Sequence, residues 1–256
     1  MRLRHKLTLT LIILCVVAPC PKASARSANF KSNRQGRTPT ASQVIERFIR
    51  AIGGRAAWLR IKTQYTAGTI EVTTTGGKGT YEAYLKAPAK SLVIIRLAGT
   101  EFKSGFDGQM SWNQSQQNAA QYDPPAKQAT SRRDSDFYKY LNFRQHFRNA
   151  RVTGIEEVEG AQAYVVEATR FGEKLPEKLY FNVRSGILVR RDTSSENSKG
   201  KITTDIQYYD DYREIDGIKL AYGQRAIQSD MTIVMKHTEV KNNLAISDAI
   251  FNLPKN

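Results

Sequence analysis

Beyond residue 40 the chain holds only two histidines, His146 and His237, the side chains best suited to proton transfer near neutral pH. They lie far apart in sequence. Neither falls in an HExxH or comparable ligand spacing, so neither marks a metal site or a general base. The densest acidic group is Asp205, Asp210, Asp211, Glu214 and Asp216, a composition that can bind calcium or share a proton. The stretch 208–212 nevertheless reads as a strand, whose successive side chains point to opposite faces, so neighbouring carboxylates diverge. Asp216-Gly217 is a turn pair. These acids read as a solvated strand end opposite Lys and Arg. No Gly-x-Ser-x-Gly elbow, phosphate loop or dinucleotide fingerprint is present. No catalytic residue, metal ligand or cofactor is expected, and the chain is read as a non-enzyme.

The elements that would have to position a site begin after a leader. Arg2, Arg4 and Lys6 precede a run of 12 residues, 7–18, that is apolar apart from Thr8 and Thr10. Ala23-Ser24-Ala25 then offers the small residues a signal peptidase needs, and the apolar run is too short to span a bilayer. A cleaved secretory signal over 1–25 is expected, with export to the periplasm. Cleavage removes four basic residues (Arg2, Arg4, Lys6, Lys22) and no acidic one, so the net charge falls from +15 to +11. It also removes both cysteines, Cys15 and Cys20, which leaves no disulfide and no thiolate ligand.

Residues 26–40 are polar and basic and read as a flexible linker, leaving 41–256 as a single domain. Thr40 with Gln43 three residues on forms a capping box, and Val44, Ile45, Phe48, Ile49 and Ile52 fall on one helical face. Gly53-Gly54 stops that helix, and a short second one follows. From Thr63 the period changes to two and largely stays there. Residues 91–98 (SLVIIRLA) are apolar on both faces, the mark of a strand covered on both sides. Strands joined by turns of two to four residues must run antiparallel. Residues 114–136, rich in Gln, Asn and Ser with Pro124-Pro125, read as a long loop. A helix is expected over 136–148, with Phe137, Tyr140, Leu141, Arg144 and Phe147 at helical spacing. The fold class is α+β, built on a long antiparallel meander.

Five segments in this order resemble one family. They are the helix-Gly-Gly-x-x-x-Trp of 44–58, the GFDGQMSW of 105–112, and LYFNV at 179–183 leading through Gly186 to Leu188-Val189-Arg190. YDDYREIDGIKL at 209–220 and an Asp248-x-x-Phe251-x-x-Pro254 ending complete the set. Over residues 41–254 the chain is similar to the outer-membrane lipoprotein carrier and sorting family, in the broad LolA/LolB-like sense. The resemblance implies a half-open β-barrel: an incomplete, curved antiparallel sheet with helices on its concave face. It implies a non-catalytic cavity for acyl chains of lipids or lipoproteins, in the periplasm and associated with the outer membrane. Such a cavity needs no polar motif, because acyl chains gain about 0.8 kcal/mol per buried methylene. Expected lining residues are Val93, Ile95, Trp112, Phe137, Tyr140, Leu141, Tyr164 and Val166, each of which an ordinary core would also use.

The charge invites a nucleic-acid reading that the pattern does not support. Basic residues are scattered, with doublets only at Arg132-Arg133 and Arg190-Arg191, and no nucleic-acid-binding motif is present. An anionic envelope surface suits an exported basic protein better. A monomer is expected. A structural envelope protein docking through its sheet edge or basic surface is the alternative, and a hydrolase using His146 or His237 is the third reading.

Overall fold

The computed structural model describes residues 38–196 and 200–255. The expected leader over 1–25 and nearly all of the linker over 26–40 lie outside the described residues. Helix α1 (Ala41–Ala51) begins on the expected capping box: the Gln43 amide donates to Thr40 Oγ1 (3.2 Å) and the Thr40 amide donates to Gln43 Oε1 (2.8 Å). Its Val44, Ile45, Phe48 and Ile49 are buried. Helix α2 (Gly54–Arg60) follows directly after Gly53, whose φ of 110° favours glycine. A Cβ at Gly53 would strike the Gly217 carbonyl, so only glycine lets this corner sit on the facing turn. The Lys219 amide donates to the Ile52 carbonyl there (2.9 Å).

Alternating and β-branched sequence then builds strands β1 (Thr63–Val72), β2 (Gly77–Lys86), β3 (Lys90–Leu97), β4 (Thr100–Phe106), β5 (Ser111–Ser115) and β6 (Asn118–Tyr122). After helices α3 (Pro125–Asp134) and α4 (Phe143–His146) come β7 (Phe147–Val158), β8 (Ala161–Arg170), β9 (Pro176–Asn182) and β10 (Leu188–Glu196). The last strands are β11 (Ile202–Ile215), β12 (Ile218–Gln228) and β13 (Met231–Asn242), before a 3-10 turn, Asp248–Phe251. Among the described residues all thirteen strands form one curved antiparallel sheet, ordered β6-β5-β4-β3-β2-β1-β13-β12-β11-β10-β9-β8-β7. Its two ends, β6 and β7, do not pair, so the barrel stays unclosed.

That order has a topological consequence. β6 and β7 are consecutive in the chain but lie at opposite edges of the sheet, so residues 123–146 must cross from one edge to the other. The crossing segment is pinned on its way: the Phe137 amide donates to the Pro88 carbonyl (2.9 Å) and the Tyr138 hydroxyl to the Ile61 carbonyl (2.9 Å). Phe137 and Leu141 share the largest core cluster with α1, α2 and residues of β8, β9 and β10.

Two expectations about this region are corrected. The stretch 114–136 is not a long loop: it contains the end of β5, all of β6, and helix α3 with Pro125 at its first turn. Proline there fits a helix start, because its missing N–H would be unpaired anyway. Nor is there a helix over 136–148. Residues 137–142 form turns, α4 has a single turn, and Phe147 already begins β7. Local turn bonds, such as the Leu141 amide to the Tyr138 carbonyl (2.8 Å), take the place of a continuous helical ladder, and Phe143 stacks on Phe147 (4.5 Å between ring centres). By contrast, β3 is covered on both faces as its sequence implies. Val93, Ile95 and Leu97 pack into one cluster, and Leu92 and Ile94 into another with Trp112 and Phe251.

Candidate functional site

A hollow of two lobes, about 220 and 280 Å³, lies between α1, the crossing segment and the sheet. Both lobes are lined by Phe48 of α1, by Asp134, Lys139 and Tyr140 of the crossing segment, and by Tyr209 and Gln224 of β11 and β12. The edge-to-edge crossing therefore supplies one wall and the strands the other.

Lys139 is exposed and Tyr140, Tyr209 and Tyr212 are half-buried, as expected of side chains facing a hollow. Enclosure pulls the Lys139 ammonium below the usual lysine range; Asp134 opposes that shift, while Arg191 and Arg170 reinforce it. Burial raises the phenols of Tyr140, Tyr209 and Tyr212, which therefore stay protonated donors at neutral pH. The Tyr209 hydroxyl donates to Gln207 Oε1 (2.8 Å), and that of Tyr212 to the Leu188 carbonyl (2.7 Å).

Tyr209 and Tyr212 are three residues apart, which strict alternation would send to opposite faces. Asp211 between them has φ 47°, a left-handed conformation that Asp tolerates, and it interrupts the ladder between the Asp210–Gly223 and Tyr212–Ala221 pairs. Both tyrosines line the second lobe as a result. Residues of this acidic cluster go separate ways: Asp211 pairs with Arg213 (2.6 Å), and Asp216 accepts from Asn242 Nδ2 (3.0 Å).

The first lobe carries the charge. Arg133, Lys139, Arg170 and Arg191 line it, with Asp134 as the carboxylate on its wall. Glu177, buried behind them, contacts Arg170 Nε and accepts from Arg191 Nε (2.8 Å). Enclosure acts to lower the Arg191 pKa, but Glu177 outweighs it and pushes that pKa up. The second lobe is mostly apolar, with Leu85, Val93, Phe137 and Met235 on its walls.

Of the expected lining residues, Val93, Phe137 and Tyr140 face this hollow. Leu141 lines a separate surface groove beside α1 and α4, and Tyr164 and Val166 pack into the main core cluster. Ile95 packs beside Val93, and Trp112 sits on the far face of β3, its Nε1 donating to the Phe251 carbonyl (2.7 Å). Sequence reasoning missed Lys139, Arg191, Tyr209 and Tyr212. The Arg190-Arg191 doublet on a strand and the tyrosine-rich 208–212 were the only available signals.

Both histidines are engaged. His146 Nε2 hydrogen-bonds Asp136 Oδ2 (2.6 Å), and the carboxylate also accepts from Asn142 Nδ2 and the Tyr138 amide. Burial would raise the Asp136 pKa, but these bonds prevail and hold it below the usual range. His237 hydrogen-bonds the Tyr81 hydroxyl, and burial lowers its pKa, so it is neutral at pH 7. Among the described residues no three His, Cys, Asp or Glu side chains gather as a metal site.

Among solved structures, a DUF1329 family protein from Desulfovibrio piger superposes with a TM-score of 0.58 at 15% identity, covering 84% of this chain and 98% of its own. A LolA superfamily protein from Nitrosomonas europaea gives 0.56 at 13% identity, with the same coverages of 84% and 98%. The fold is LolA-like. A domain described as an outer membrane lipoprotein-sorting protein, from Vibrio parahaemolyticus, gives 0.54 at 9% identity over 83% of this chain and 97% of its own. No protein-family model matches the sequence, and no curated protein does.

Proposed function

We propose that this protein is an exported, non-catalytic carrier that holds acyl chains of a lipid or lipoprotein in the hollow between the curved sheet and its covering segments. In this reading α1, α2 and residues 123–146 cover the concave face, and the second lobe takes the chain. The observation that carries it is a partly open, largely apolar hollow on a LolA-like scaffold. Such a space suits an apolar chain beside a polar head, because apolar side chains supply most of its wall and polar ones a minority. The periplasm is the compartment and the outer membrane the nearest surface, which the excess of basic side chains would favour electrostatically. Lining residues are Val93, Phe137 and Tyr140, with Ile95, Trp112, Leu141, Tyr164 and Val166 supporting the walls from behind.

Mass spectrometry of an organic extract of the exported protein tests the reading. Acyl lipid should co-purify in near-stoichiometric amount. A lipid-free protein that also fails to bind an uncharged fluorescent acyl-site probe would sink the proposal.

A further inference from the structure

The charged lobe holds one cation that the protein leaves uncompensated. Arg133 pairs with Glu173 (2.9 Å), Arg170 with Asp134 (2.8 Å), and Arg191 with Glu177 (2.8 Å). Lys139 makes no ion pair among the described residues; its Nζ reaches only the Asp134 carbonyl oxygen, at 3.3 Å. The adjacent Tyr140 hydroxyl has no hydrogen-bond partner among the described residues, although its ring packs on Phe48 (5.4 Å) and Trp58 (6.3 Å). Both residues line both lobes, so an ammonium with only one of its three N–H groups bonded and a free hydroxyl stand where the charged lobe meets the apolar one. Asp136, the other carboxylate near Lys139, is already engaged by His146, Asn142 and the Tyr138 amide.

Lys139 is exposed to the hollow and has no carboxylate partner, so a guest carrying an anion there would supply the counter-ion that the protein does not. Neither lobe is large: at about 220 and 280 Å³ each lies below the usual range of roughly 300–1,000 Å³ for ligand pockets. That leaves room for one chain and a small head. Resting on the carrier reading, we infer that the guest is a single-chain amphiphile with an anionic head, a carboxylate or a phosphate ester. Lys139 Nζ and the Tyr140 hydroxyl hold the head, and the chain occupies the lobe walled by Leu85, Val93 and Met235.

The test uses delipidated full-length mature protein and displacement of N-phenyl-1-naphthylamine, an uncharged probe, by four competitors. These are oleate, oleyl alcohol, a lysophosphatidylglycerol and dioleoylphosphatidylglycerol. Oleate or the lysolipid should displace the probe at about tenfold lower concentration than oleyl alcohol, a preference worth about 1.4 kcal/mol. Which of the two is stronger separates a carboxylate guest from a phosphate one. In Lys139→Gln the preference should fall to within about twofold while oleyl alcohol competes as before, and Lys139→Arg should restore it. Tyr140→Phe should weaken oleate by about threefold. Equal potency of oleate, the lysolipid and oleyl alcohol in the wild type overturns the inference and leaves the carrier reading standing. The two-chain lipid as the strongest competitor overturns the single-chain assignment. A protein that binds neither probe nor competitor overturns the carrier reading itself.

Discussion

At the scale of single residues, charge is used in two different ways. Asp248 accepts from Lys86 Nζ (2.6 Å) and Lys90 Nζ (2.8 Å), and these two ammonium groups hold its pKa at about 2, below the ordinary 3.8. A folded-state pKa below the unfolded one stabilises above the unfolded value and is lost as pH falls through the folded one. The 3-10 turn carrying Asp248 should therefore loosen as pH drops from 3.8 through about 2. Hydrogen exchange of the Trp112 indole N–H, bonded to Phe251 of the same turn, reports this; constant protection across that window would show that something else holds the turn. Lys139 is the opposite case, a cation kept for a guest. The chemistry of Lys139 was not legible in the sequence, because its isolation depends on where Asp134, Glu173 and Glu177 arrive from three separate segments.

At the scale of elements, the segment between β6 and β7 decides the site. Its register against α1 depends on Asp136, which gathers His146 (2.6 Å), Asn142 (2.9 Å) and the Tyr138 amide (2.9 Å) on either side of Tyr140. Asp136→Ala should cost about 2–3 kcal/mol, the usual scale for losing charged hydrogen bonds and leaving donors unpaired. A fall in the urea midpoint with unchanged slope checks it, and an unaltered midpoint would show that the apolar contacts of Phe137 and Leu141 suffice. Helix α1 was readable from Thr40, Gln43 and the Val44–Ile45–Phe48–Ile49 stripe, because a capping box and a helical face are local signals. The crossing segment was not. Phe137, Tyr140 and Leu141 have helical spacing, yet the segment forms successive turns. The Lys139 amide donates to the Asp136 carbonyl and the Leu141 amide to the Tyr138 carbonyl, while the Pro88 and Ile61 carbonyls anchor the segment to the rest of the fold. Pro124-Pro125 is an ambiguous signal, because proline marks loops and helix starts alike.

At the scale of the whole molecule, a guest that binds only the folded state should raise its stability. With oleate at a hundred times its dissociation constant the gain is about 2.7 kcal/mol, or roughly 5–10 °C in Tm for a domain of this size. Calorimetry with and without oleate checks this, and a Tm indifferent to oleate would contradict it. The antiparallel meander was legible in the sequence from turn to turn, whereas the join between its halves was not. Gln64 of β1 hydrogen-bonds Asn242 of β13, 178 residues later, and no local signal records that pairing. The seam also dictates an order of events as the chain emerges. Strands β1 to β6 can assemble by near-neighbour pairing, but β1 stays a bare edge until β13 exists to cover it, and β13 is the last strand described. Throughout that interval two half-sheets carry open ladders, joined only by the strand of chain that later becomes the cavity wall. A helper that shields β1 would therefore matter most before the protein has any cavity to fill.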